Sequence, residues 1–109
     1  MLTLILGGAY QNKKQFALSL GRPVMDRFHL TIREWVDRKA DIGNELALVL
    51  EQRDIVIVSD EIGCGIIPLD KKEREVREIT GRVLCDIAAK AGEVYRVHAG
   101  IPMKIKGAA

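Results

Sequence analysis

Two short runs, LTLIL at residues 2–6 and DIVIVSD at residues 54–60, are apolar along their length instead of alternating. A strand with one wet face alternates, whereas a strand covered on both faces reads as a continuous apolar run, the usual state in a parallel sheet. Between and after these runs the apolar residues recur at helical spacing. Helical patterns run from Lys13 to Leu20, from about Thr31 through Ile32, Trp35 and Val36, from Asp41 through Leu46, Val49 and Leu50, and from Lys71 to Ala91. PVMDRFHL reads as a second, weaker strand, and EVYRVHAG as the last strand before a basic tail, MKIKGAA. Parallel strands need long crossovers, so this alternation predicts an α/β fold with a small parallel sheet, β-α-β-α-β-α-β, and helices on both faces.

At 109 residues, 48% hydrophobic and 29% charged, the chain has the make-up of a single domain over residues 1–109 with a real core. Seventeen basic residues against fifteen acidic leave a net charge of +2, too balanced for a nucleic-acid footprint. No apolar run is long enough to span a membrane, and MLTLILGGA has neither the basic start nor the length of a signal peptide. Cys64 and Cys85 lack metal-ligand spacing, so reduced thiols in a cytoplasm are expected.

Ligands of parallel sheets bind at the carboxyl ends of the strands, and LTLIL ends there in LGGAYQNKKQF. The phosphate-loop pattern is Gly, four residues, then Gly-Lys-Ser/Thr. Gly7 and Lys13 have that spacing. The amides of Gly7, Gly8, Ala9, Tyr10, Gln11, Asn12, Lys13 and Lys14, with the following helix, would form an anion-binding concavity. Two positions depart. Asn12 replaces the second glycine and tolerates positive φ. Lys14 replaces the hydroxyl that ligates magnesium, and an ammonium has no lone pair to offer a metal. The motif alone leaves two readings open: a nucleotide site, or a strand-to-helix turn with two solvated lysines.

The second half of the chain carries a longer pattern: Glu61 to Pro68 as EIGCGIIP, then Arg74, Arg77, Gly81 and Arg82 on the long helix, then Gly100, Lys104 and Lys106. Residues 55–106 resemble the carboxyl half of the bifunctional adenosylcobinamide kinase / adenosylcobinamide-phosphate guanylyltransferase family, whose amino-terminal glycine loop falls on Gly7 to Lys14. The resemblance implies ATP or GTP as substrate with Mg²⁺, a corrinoid such as adenosylcobinamide as acceptor, and a homo-oligomer. It implies Lys13 at the β- and γ-phosphates and Asp26 and Glu61 as catalytic and magnesium-holding carboxylates. It also exposes a departure. Only about nine residues separate Lys13 from Pro23, so the family segment bearing the guanylyl-accepting histidine has no counterpart, and His29 does not match it. An enzyme of cobalamin biosynthesis is one expectation; a non-catalytic nucleotide- or anion-binding protein that keeps the fold is the other.

Overall fold

The computed structural model of the chain describes residues 1–61 and 70–107. The expected EIGCGIIP loop, with Gly63, Cys64 and Gly65, therefore lies almost wholly outside the described residues. Five strands form one sheet in the order β2-β3-β1-β4-β5: β1 is Thr3–Gly7, β2 Val24–Met25, β3 Val56–Asp60, β4 Glu93–His98 and β5 Ile101–Lys106. β1, fully apolar in its middle, takes the centre. It pairs in parallel with β3 on one side and β4 on the other. β2 extends the parallel sheet beyond β3.

The alternation of side chains along each strand divides the core in two. Leu4, Ile57 and Val94 face one way, under α2 (Phe28–Asp37), α3 (Ile42–Leu50) and α4 (Lys71–Lys90), with Phe28, Ile32, Trp35, Val83 and Ile87 filling the layer. Ile5, Val56, Val58 and Val97 face the other way, where α1 (Lys13–Ser19) supplies the buried Ala17. Phe16 of that helix meets the Tyr95 ring edge-on at 4.9 Å. The α/β class and the helices on both faces are as the sequence predicts. No described helix is long and apolar enough to cross a membrane.

Three local readings need correction. β2 holds only two residues, and helix α2 begins at Phe28 rather than Thr31. Arg27, in the left-handed region at φ 51°, turns the chain, and Phe28 then buries itself edge-on against Trp35. His29 therefore sits in the first turn of a helix. The basic tail starts within a six-residue strand: β5 returns antiparallel to β4 through a tight turn at Ala99 and Gly100, both with positive φ, the backbone that two-residue hairpins require. At the start of α4, Asp70 accepts the Lys72 amide at 2.9 Å, and Glu73 forms a two-pronged ion pair with Arg33 of α2. Asp41 caps α3, accepting the Asn44 amide, and Glu78 pairs with Arg82.

Candidate functional site

Register builds the site. Gly7 is the partner of Asp60, so the glycine loop and the end of β3 leave the sheet side by side. A β-carbon on Gly7 would lie 2.5 Å from the Val97 carbonyl of β4, so only glycine lets the strands stay this close where the loop begins. The loop then turns through two left-handed residues, Tyr10 and Asn12, each at φ 62°. Asn12 thus does the backbone work of the glycine it replaces. The tip is tied down: both the Gln11 side-chain carbonyl and its backbone carbonyl accept amides of the β4–β5 turn, from Ala99 and Gly100 respectively. Among the described residues, no protein acceptor takes the amides of residues 9–12.

A cleft of about 590 Å³ opens beside this loop. The loop from Ala9 to Lys14 lines one side, and Asp26, Arg27, His29, Leu30 and the end of β3 line the other. Lys13, only 8% exposed, points back across the loop. Its ammonium donates to the Gly8 carbonyl at 2.6 Å and lies 2.8 Å from Asp60 Oδ1. It is not the solvated first-turn lysine of the simpler reading. Lys14 is exposed and faces Asp26 loosely, at 3.8 Å. The other Asp26 oxygen accepts the Arg27 amide at 2.9 Å.

His29 is held from two directions. Its Nδ1 accepts the Asp60 amide at 3.1 Å, which places the proton of the neutral ring on Nε2, 3.5 Å from Asp60 Oδ2. Burial holds its pKa below the ordinary 6.5, outweighing the nearby Asp60 carboxylate. With one nitrogen accepting and the other turned to a carboxylate, the ring acts as a brace for Asp60 and offers no lone pair to a substrate. Three cations (Lys13, Lys14, Arg27) and two carboxylates (Asp26, Asp60) line the cleft, so its balance favours an anion.

The predicted carboxylates are not brought together. Asp26 lines the cleft beside β2. Glu61 follows β3, donates its amide to the Gly7 carbonyl at 2.8 Å and turns its side chain toward β4, where it pairs with Arg96 at 2.8 Å. Asp60, which the sequence reading passed over in favour of Glu61, is the carboxylate that reaches Lys13. The sequence offers two acids in a row at the end of β3, and the Gly7–Asp60 register is what distinguishes them. Arg74, Arg77 and Arg82 lie on α4 and are not among the described residues that line the cleft.

A model of the cobinamide kinase / cobinamide phosphate guanyltransferase family matches residues 24–105, three quarters of the chain. The match begins after the glycine loop, so the loop's part in the site rests on its geometry. Two curated proteins are similar, the bifunctional adenosylcobalamin biosynthesis proteins CobU of Escherichia coli and of Salmonella typhimurium. Each is 46% identical over 52 residues. That stretch is 48% of this chain but 29% of either relative, so the similarity spans less than a third of their length.

Proposed function

The chain belongs to the cobinamide kinase / cobinamide phosphate guanyltransferase family, and on that premise we propose that its cleft binds a purine nucleoside triphosphate in the service of cobalamin biosynthesis. The observation that supports this most directly is the Gly7–Asp60 register. It gathers a loop of unclaimed amides, two lysines and a carboxylate at one end of the sheet. Lys13, held by the Gly8 carbonyl and by Asp60, would turn its remaining N–H to the β- and γ-phosphate oxygens, where fixed positive charge stabilises transferring phosphoryl groups. His29 would keep Asp60 in place beside Lys13. Asp26 and Arg27 would border the phosphates, and Leu30 offers an apolar wall to the nucleoside.

The acceptor we propose is a corrinoid, the class that the family's description names. The reaction class is phosphoryl or nucleotidyl transfer. A second reading, a binding protein without turnover, draws on the Lys14–Asp26 pair, which occupies the place where a metal-ligating hydroxyl would stand. Calorimetric titration with ATP, GTP and adenosylcobinamide tests the site, and product analysis after mixing separates the two readings. Failure of both nucleotides to bind at millimolar concentration would sink the triphosphate site.

A further inference from the structure

The acidic side chains at the strand ends each carry a cation of the chain's own. Asp60 has Lys13 at 2.8 Å from Oδ1 and the His29 Nε2 at 3.5 Å from Oδ2. Asp26 has Lys14 at 3.8 Å from one oxygen and the Arg27 amide on the other. Glu61 is turned out of the cleft, onto Arg96. Among the described residues no three His, Cys, Asp or Glu side chains stand together as a metal shell.

Magnesium asks for an octahedron of oxygens at about 2.0–2.1 Å and gives up its waters reluctantly. A divalent ion on Asp60 would share its carboxylate with an ammonium, and the repulsion would act over a distance where the buried lysine has little water to screen it. The position that commonly supplies a hydroxyl to that ion holds Lys14 instead, a donor with no lone pair. Among the described residues, the donor set does not fit a magnesium ion held by the protein.

We propose that this cleft takes the phosphates of a nucleoside triphosphate on lysine ammonium groups without a protein-held magnesium, Lys14 supplying the charge that the metal would. The proposal rests on the triphosphate reading above. The two lysines are suited to different parts of it. Lys13 is buried and doubly held, so it sets a fixed charge at the mouth of the loop. Lys14 is 66% exposed and its partner is 3.8 Å away, a loose surface pair that costs little to give up. It is free to swing to the phosphates as they arrive. An ammonium neutralises phosphate charge but does not bridge the β- and γ-oxygens as a divalent ion does in transfer. The site is therefore better built to hold a triphosphate than to cleave one.

The test is calorimetric titration of the whole chain with ATP and with GTP, once in excess EDTA and once in saturating Mg²⁺. The Kd values in the two conditions are expected to agree within about threefold. Lys14→Ser, checked for folding by circular dichroism, is expected to lose about tenfold or more of the affinity in EDTA and to recover it in Mg²⁺. Binding by the parent only when Mg²⁺ is present overturns the proposal, as does unchanged affinity of folded Lys14→Ser in EDTA; both leave the triphosphate site standing. Absence of binding in either condition removes that site and the proposal with it.

Discussion

The two faces of the sheet are built on different terms. One lies under three helices, and Leu4, Phe28, Ile32, Ile57 and Ile87 are sealed from solvent within it. The other lies under a single seven-residue helix, whose start has no side-chain cap and whose buried contribution is Ala17 and the stem of Lys13. Apolar burial scales with the area removed from water, so the first face holds most of the stability. The second is thin because its helix is also the far wall of the glycine loop. A residue there faces the cleft as well as the core.

Paired truncations of aromatic residues should break or sharpen this contrast. Phe28→Ala empties a fully buried site against Trp35 and should cost about 3–5 kcal/mol. Phe16→Ala on the thin face removes a half-buried ring against Tyr95 and should cost only about 1–2 kcal/mol. Urea unfolding of both variants decides: equal costs would erase the difference between the faces.

Lys13→Ala comes next. The sequence alone presents an exposed lysine whose loss leaves the fold untouched. In the structure its removal strips Asp60 of a buried cation, and the unliganded protein should lose about 1–3 kcal/mol. An unchanged thermal midpoint would show that Asp60 finds equal company in His29 and water.

A smaller effect follows from His29. Its imidazole is held below 6.5 in the folded chain, so the unfolded chain takes up the proton first as pH falls. The stability it contributes is complete above that value and is lost as the pH drops through the folded pKa. Asp37, Asp54, Glu73 and Glu93 are depressed by hydrogen-bonded cations, and their contribution disappears only in the more acidic carboxylate range. His29→Asn keeps an acceptor for the Asp60 amide without titrating. It should flatten the thermal midpoint just below pH 6.5 and leave the acid limb alone; a profile parallel to the parent's would assign the slope to another group.

The smallest change is expected at the sheet's edge. Ile105 is 62% exposed on β5, beside a β-bulge, and Ile105→Thr should move stability by no more than about 0.5 kcal/mol. A larger loss in urea would mean that the edge strand is packed in solution.

How much of this was legible in the sequence depended on what each residue answers to. β1 and β3 were plain because burial on both faces forces an unbroken apolar run. α4 was plain from Val76, Val83 and Ile87 at helical spacing, and Asp41 announced its helix. β5 was missed because Pro102 and two lysines disguise a period-two pattern, although an edge strand accepts all three. The start of α2 was misplaced because Phe28 and His29 suit a strand by propensity, and only burial against Trp35 decides for the helix. The glycine loop and Lys13 could be named from spacing. Asp60 could not be chosen over Glu61 without the register, because both end the same strand and only the fold turns one toward Lys13 and the other toward Arg96.

Gln11 gives the loop and the β4–β5 hairpin a common opening event. The Ala99 and Gly100 amides both end on this one residue, so their protons can exchange with solvent only when the loop tip lets go. Local unfolding of the two segments is then a single cooperative step rather than two independent ones. A ligand that quiets the loop should slow hydrogen exchange at a turn it never touches, and Gln11→Ala, which keeps the backbone carbonyl that accepts Gly100, should speed exchange at Ala99. Exchange at Ala99 and Gly100 that ignores both ligand and substitution would show that the turn closes on its own.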